Sequence, residues 1–151
     1  MSLTGEQKSF LRGTFGERVT FDRTERRLYG HDIGALPHLV RPLIRNSTPD
    51  AVVQPETESE LVDLVRWARD RDIPLTPRAK ASSGYGGVIP VKGGVVVDFY
   101  RLRAVEAIDA SELTARVQPG ITWDNLDRAL SRQGLTLRLY PSSYPSWTWR
   151  G

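Results

Sequence analysis

The fold is decided by the stretch IPLTPRAKASSGYGGVIPVKGGVVVDF, which runs from Ile73 to Phe99. A short apolar run opens it, a strongly apolar run closes it, and a loop from Pro77 to Pro90 lies between them. Because the loop is rich in glycine and serine, it can turn sharply and present several backbone N–H groups on one side. Such a row binds an anion, phosphate best of all, and Arg78 and Lys80 would add charge-assisted contacts. The alternative is a surface connection whose glycines serve only its turns.

The clearest helix signal precedes this loop. Thr57 is an N-cap and Glu60, three residues later, completes a capping box. The apolar stripe that follows has helical spacing and consists of Leu61, Val62, Leu64, Val65 and Ala68. With one strand at residues 51–53 and a second at residues 73–75, the pattern predicts a strand–helix–strand unit with parallel strands and a right-handed crossover. The loop leaves the end of the second strand, where ligands gather in open α/β sheets.

Further elements are predicted on both sides of this unit. Those before it are a short helix over residues 4–16 with a Thr4/Gln7 capping box, an extended piece at Val19 and Phe21, and a helical turn at Asp22–Leu28. Those after it are a buried strand at Gly94–Phe99, two antiparallel strands at Val105–Ile108 and Leu113–Val117, a helix from Thr122 to Gly134, and a strand with Leu135 and Leu137. In the strand at 113–117, alternation predicts that Leu113, Ala115 and Val117 are buried.

Composition narrows the function classes. The chain has 151 residues, a net charge of +3 and no cysteine, so disulfides, thiolate metal sites and a cysteine nucleophile are excluded. His31 and His38 are interpreted as surface residues, and no metal site is expected. Arginine residues are scattered along the chain rather than clustered, so the sequence gives no indication of a nucleic-acid-binding surface. No run reaches the roughly 18 apolar residues of a membrane helix, and we expect a cytoplasmic protein.

The last stretch, from Tyr140 to Gly151, carries hydroxyl side chains that can donate to a phosphate. Trp147 and Trp149 stand among them, and tryptophans are rarely left exposed in pairs. We therefore expect these two side chains to be covered by sequence that would follow Gly151, or by self-association.

Several motifs in one order resemble a known family. They are PDAVVQP at 49–55, IPLTPR at 73–78, GGVIP at 86–90, GGVVVDF at 93–99, VQPGITWDNLDRAL at 117–130, QGLTLRLYPSS at 133–143 and S-x-T-x-x-G at 146–151. The chain resembles the N-terminal FAD-binding domain of the vanillyl-alcohol oxidase type, also called PCMH-type. It is most similar to bacterial FAD-linked glycolate oxidases and D-lactate dehydrogenases, over about residues 49–151 and more loosely around Tyr29.

The resemblance implies two FAD-binding segments. The first wraps the pyrophosphate and comprises Arg78, Ala79, Lys80, Ala81, Ser82, Ser83, Gly84, Gly86 and Gly87. The second contacts the flavin side and comprises Pro141, Ser142, Ser143, Ser146, Thr148 and Gly151. Ala79 and Ala81 stand where the family usually has glycine, and Arg150 replaces the first of two closing glycines. Since no histidine or cysteine lies between Arg78 and Pro90, the FAD is expected to be non-covalent.

The implied fold is α+β, with a small parallel βαβ subdomain, a larger mixed or antiparallel sheet and flanking helices. Residues 1–48 are expected to form an N-terminal helical and extended segment, and residues 49–151 the FAD-binding domain. The implied function is the FAD-binding portion of an FAD-dependent oxidoreductase, a dehydrogenase or oxidase of a small organic substrate, with a 2-hydroxy acid favoured. A cap domain absent from this chain would bind the substrate, so residues 1–151 alone are expected to be inactive. Two alternatives stay open: a non-catalytic α/β interaction module, and a nucleotide-phosphate binder without flavin.

Overall fold

The structure, a computed structural model, describes residues 2–34, 47–82 and 84–140. The chain divides into two compact units, Met1–Arg101 and Leu102–Gly151. The first unit contains a four-stranded mixed sheet and the second a two-stranded antiparallel one, both with helices. The predicted α+β class is therefore confirmed. Within the three described ranges, no helix combines the length and the apolar character that crossing a membrane requires.

In the described residues of the first unit there are three α-helices and four strands. They are α1 (Gly5–Phe15), β1 (Val19–Thr20), α2 (Arg23–Leu28), β2 (Ala51–Val53), α3 (Glu58–Arg69), β3 (Leu75–Arg78) and β4 (Val95–Asp98). Thr4 and Gln7 form the predicted capping box on α1. Asp22, for which no capping role was predicted, caps α2 by accepting from two backbone N–H groups. The predicted helices at 4–16 and 22–28 are thus confirmed.

Strand β4 is the centre of the sheet, whose order is β1–β2–β4–β3. It runs parallel to both β2 and β3, with Val96 opposite Val52 on one side and Thr76 on the other. All four of its residues are buried, as its continuous apolar run predicts. The parallel strand–helix–strand unit is confirmed, with β4 inserted between its two strands. Strand β3 begins at Leu75 rather than Ile73, because the N–H of Ile73 donates a hydrogen bond to the carbonyl of Ala68, near the end of α3, at 2.9 Å.

The core of this unit lies between the sheet and helices α1 and α3. Its buried members are Leu3, Leu11, Phe15, Ala51, Val53, Leu64, Trp67, Ala68, Ile73, Val95 and Val97. The predicted stripe on α3 is only partly right, since Val62 and Val65 are exposed while Trp67 is buried. Trp67 lies three residues after Leu64 on the same helical face, and its ring stacks on Phe10 at a centroid distance of 4.8 Å.

The start of α3 is joined to the N-terminal segment by an ion pair. Thr57 caps the helix as predicted, by accepting from the N–H of Glu60. The Glu60 side chain does not return to the cap residue, so the predicted capping box is half formed. It accepts two bonds from the Arg18 guanidinium, at 2.7 and 2.6 Å, and one from the N–H of Glu56 at 2.8 Å. A bidentate charge-assisted pair outcompetes a neutral N–H donor.

Up to residue 140, the last one described, the second unit contains two strands and one helix, β5 (Val105–Asp109), β6 (Thr114–Val117) and α4 (Trp123–Ser131). The strands pair antiparallel, as predicted. The predicted alternation in β6 is wrong at two of its three positions: Leu113 precedes the strand with φ of 53° and is 75% exposed, and Ala115 is exposed as well. Val117 is half-buried, in line with the prediction. On α4, Leu126 and Leu130 are buried on one face, and Thr122 caps the helix.

The strand predicted at Leu135 and Leu137 is not formed within the described part of the chain, which ends at residue 140. The N–H of Leu135 instead donates to the carbonyl of Leu130 at 3.1 Å, and Gly134 has a φ of 71°. This bond closes the C-terminus of α4 in the way a left-handed glycine permits. Gly134 therefore ends the helix as predicted, but the following residues complete its cap.

The Arg18–Glu60 pair predicts a pH-dependent contribution to stability. Its hydrogen bonds lower the pKa of Glu60 from 4.5 to about 2, so folding favours the carboxylate. We expect Glu60→Gln to lower the free energy of unfolding by about 1–3 kcal/mol at pH 7. Because the native pKa is depressed, this difference should be complete above the unfolded pKa of 4.5 and shrink as pH falls towards 2.

Urea unfolding at a series of pH values between 7 and 2.5 measures the effect. Glu58→Gln is the matched control, since Glu58 lies in the same first turn but is exposed. A Glu60→Gln cost that does not change with pH would contradict the ion-pair account.

Candidate cofactor site

The carboxyl ends of the three parallel strands bring polar side chains to one edge of the sheet. Gln54 directly follows β2, Arg78 ends β3 and Asp98 ends β4. The Gly-rich loop leaves from β3 at this same edge. Ligands of open α/β sheets bind at carboxyl edges of this kind, so the predicted location of the loop is confirmed.

Asp98 organises this edge. Its carboxylate is buried and accepts from the hydroxyl of Tyr29 at 3.0 Å, from the side-chain amide of Gln54 at 2.8 Å and from the N–H of Tyr100 at 3.0 Å. Burial, followed by the charge of Asp98 and its hydrogen bond, raises the pKa of Tyr29 to about 12. Tyr29 is therefore a fixed hydrogen-bond donor at neutral pH and no candidate for a general base.

The Arg78 guanidinium contacts the N-terminal segment at Tyr29 and His31. Its Nη1 donates to the backbone carbonyls of Tyr29 and His31, at 3.3 and 2.8 Å, and the guanidinium lies 5.1 Å from the centroid of the Tyr29 ring. Burial is the main cause that lowers its pKa from the ordinary arginine value. These contacts hold residues 29–31 against the end of β3. The contact of Arg78 with a phosphate stays a prediction.

The loop after Arg78 has three backbone positions in the left-handed region, a conformation found in anion-binding loops. Ala81, Gly84 and Gly86 all adopt positive φ, at 56°, 67° and 79°. Among the described residues, the N–H groups of Lys80 and Ser82 have no hydrogen-bond acceptor. Alternation of left-handed and ordinary residues makes successive N–H groups converge on one point, where an anion can bind. The Lys80 ammonium lies 4.9 Å from the centroid of the Tyr100 ring.

A buried carboxylate that sequence reasoning missed holds the far end of this loop. Asp32 accepts from the N–H of Gly86 at 2.7 Å and from the N–H of Gly34 at 2.9 Å. One signal was present, because an aspartate two residues before a glycine is typical of an Asx turn. The bond to Gly86 had no such signal, and neither did the roles of Tyr29, Gln54 and Asp98.

The structure describes most of the first predicted segment and none of the second. Of the first, Arg78, Ala79, Lys80, Ala81, Ser82, Gly84, Gly86 and Gly87 are described, and Ser83 is not. Pro141, Ser142, Ser143, Ser146, Thr148 and Gly151 lie outside the described residues, as do Trp147, Trp149 and His38. Their roles stay predictions. The described ranges contain no group of three or more histidine, aspartate or glutamate side chains that could hold a metal ion.

Comparison with known proteins identifies the family. The model of the FAD binding domain family matches residues 49–151, and the chain belongs to this family. It is 34% identical over 97 residues to the glycolate oxidase subunit GlcD of Bacillus subtilis. The aligned residues make up 64% of this chain and 21% of that protein. It is 29% identical over 133 residues to the mitochondrial D-lactate dehydrogenase (cytochrome) of Arabidopsis thaliana, covering 88% and 22%.

A solved structure agrees with these relatives. Alkyldihydroxyacetonephosphate synthase superposes with a TM-score of 0.79 at 26% identity, covering 95% of this chain and 30% of that one. Since the alignments cover 21% and 22% of the two curated relatives, the chain spans about a fifth of their length. The resemblance to FAD-linked oxidoreductases inferred from the motifs is confirmed, and the cofactor of the family is FAD.

The geometry of the loop fits the pyrophosphate of FAD. A pyrophosphate needs close approach of the backbone, and the loop offers small side chains at residues 79, 81, 82, 84, 86 and 87. The two residues that replace the usual glycines behave differently. Ala79 is exposed and has no positive φ, whereas Ala81 is 6% exposed and adopts the left-handed conformation that glycine favours. The fold thus retains the glycine-type backbone at position 81 with an alanine in it.

The left-handed backbone of Ala81 predicts that Ala81 tolerates substitution by valine less well than Ala79 does. Ala81→Val should lower the free energy of unfolding by about 1–3 kcal/mol, because a branched side chain is strained at positive φ and the site is buried. Ala79→Val, the control, should cost less than about 0.5 kcal/mol at its exposed position. Ala81→Gly should be close to neutral, since roughly 1 kcal/mol of relieved strain offsets roughly 0.8 kcal/mol for a lost buried methyl. Equal losses for the two valine variants in urea unfolding would refute this backbone assignment.

Proposed function

We propose that this chain is the FAD-binding domain of an oxidoreductase that oxidises a small 2-hydroxy acid, and that its loop from Arg78 to Gly87 binds the FAD pyrophosphate. One observation carries the proposal. A loop with three positive-φ positions leaves the carboxyl end of β3, beside the central parallel strand. Family membership supplies the identity of the cofactor.

The backbone, more than the side chains, is the binding element in this proposal. Backbone N–H groups of the loop donate to the phosphate oxygens, and Lys80 supplies a compact positive charge next to them. Arg78 contributes mainly by fixing residues 29–31, because its Nη1 is bound to their carbonyls. The second segment, from Pro141 to Gly151, is proposed to contact the flavin side.

The substrate class rests on the relatives. Both curated relatives described above carry names that refer to 2-hydroxy acids, glycolate and D-lactate. When bound, FAD supplies two-electron redox chemistry, and the protein contributes binding, orientation and exclusion of water. At the carboxyl edge of the sheet, Tyr29 stays protonated and the Asp98 carboxylate accepts three hydrogen bonds, so neither side chain is free to act as a general base. We propose that another domain supplies the groups that contact the substrate.

Gly86→Val tests the loop assignment. Its φ of 79° is strained for valine, so the substitution should change the loop backbone, and an added Cβ would meet nothing closer than 3.5 Å. We expect a roughly tenfold or greater loss of FAD affinity. Calorimetric titration of the 151-residue chain with FAD, ADP and riboflavin locates the loss. FAD and ADP carry a pyrophosphate and should both weaken, whereas riboflavin carries none and should bind the variant and the wild type alike.

Gly134→Val is the matched control, because it places valine at a second glycine with a φ of 71° and open space, outside the loop. It should retain the FAD affinity of the wild type. Unchanged FAD binding in Gly86→Val would remove the loop from the site. A wild-type chain that binds no FAD at all would overturn the proposed function and favour the interaction-module alternative.

A further inference from the structure

The segment Tyr29–Gly34 lies outside the residues matched by the family model, yet it contacts the Gly-rich loop directly. We propose that Asp32 is a positioning residue for FAD binding, whose carboxylate fixes the turn at Gly84–Gly86 in the conformation that receives the pyrophosphate. This inference rests on the proposed function and assigns part of the cofactor site to the N-terminal segment.

The carboxylate of Asp32 uses both of its oxygens. Oδ2 accepts from the N–H of Gly86 and Oδ1 from the N–H of Gly34, at 2.7 and 2.9 Å. Asp32 is 7% exposed, and hydrogen bonds to a buried charged group are among the stronger ones. Because one carboxylate holds an amide in each segment, the segment and the loop keep one relative position.

The two backbones also touch without side chains between them. A Cβ added to Gly34 would overlap the carbonyl oxygen of Gly84 and lie 2.8 Å from its Cα. The N–H of Ile33 donates to the carbonyl of Ala81 at 3.4 Å. Close approach therefore extends over both left-handed parts of the loop, at Ala81 and at Gly84–Gly86.

The segment is itself held by the sheet. The hydroxyl of Tyr29 donates to Asp98 at the end of β4, and Arg78 at the end of β3 donates to the carbonyls of Tyr29 and His31. The negative charge of Asp32 also acts favourably on the Arg78 guanidinium. Because residues 29–31 are bonded to the ends of β3 and β4, Asp32 holds the turn at Gly84–Gly86 in a fixed position relative to these two strands.

Asparagine at position 32 tests this directly. An aspartate accepts with two oxygens, whereas asparagine accepts with one and turns an NH2 group towards the second amide. Asp32→Asn should therefore lose one of the two bonds and lower FAD affinity by about tenfold to a hundredfold. The matched control is Asp50→Asn, since Asp50 holds the N–H of Gly94 with one oxygen at 3.0 Å and an asparagine oxygen can replace it. Asp50→Asn should bind FAD like the wild type.

A second variant leaves all charges in place. Gly34→Ala introduces a methyl group against Gly84 and should weaken FAD in the same direction as Asp32→Asn. Amide hydrogen exchange of the ligand-free chain separates positioning from general destabilisation. In Asp32→Asn we expect protection to fall at Gly86, while the amides of Val95–Val97 in β4 keep theirs.

The outcomes separate this inference from the proposed function. Wild-type binding of FAD together with unchanged affinity in Asp32→Asn and Gly34→Ala would overturn the inference alone. A parallel loss of protection in β4 would also overturn it, because Asp32 would then only stabilise the fold. A wild-type chain that binds no FAD would overturn the proposed function, and with it the inference.

Discussion

The burial of β4 on both faces is the constraint on which the first unit depends. A strand of four buried residues must be paired on both edges and covered on both sides, and here β2 and β3 supply parallel pairing while α1 and α3 cover one face. Because all three strands run in one direction, their last residues meet at one edge. For this reason Gln54, Arg78 and Asp98 and the start of the Gly-rich loop all lie at the same edge of the sheet.

Two carboxylates at that edge, those of Asp32 and Asp98, are buried, and each accepts hydrogen bonds from several donors. An unpaired carboxylate in such a position would be strongly destabilising, and Asp98 and Asp32 are satisfied by three and two described donors. The donors come from both the N-terminal segment and the loop. Residues 29–34 are therefore hydrogen-bonded both to the ends of the parallel strands and to the loop.

The sequence predicted what local rules control and missed what distant contacts control. The caps at Thr4, Thr57 and Thr122 and the buried run of β4 depend on neighbouring residues, and the structure has all of them. Glu60 bonds to Arg18 across 42 residues, Gly86 to Asp32 across 54 and Tyr29 to Asp98 across 69. Nothing in the spacing of one segment indicates such a partner. Likewise, helical periodicity could not decide whether Val65 or Trp67 lies on the buried face of α3.

The most direct test of the pyrophosphate assignment is residue-specific. Titration of the 15N-labelled chain with FAD, followed through backbone amide chemical shifts, reports which N–H groups meet the ligand. The account predicts that the largest saturable changes fall on the amides from Ala79 to Gly87, with smaller ones at Asp32 and Gly34. Saturable changes confined to other residues, with the amides of the loop unaffected, would contradict it.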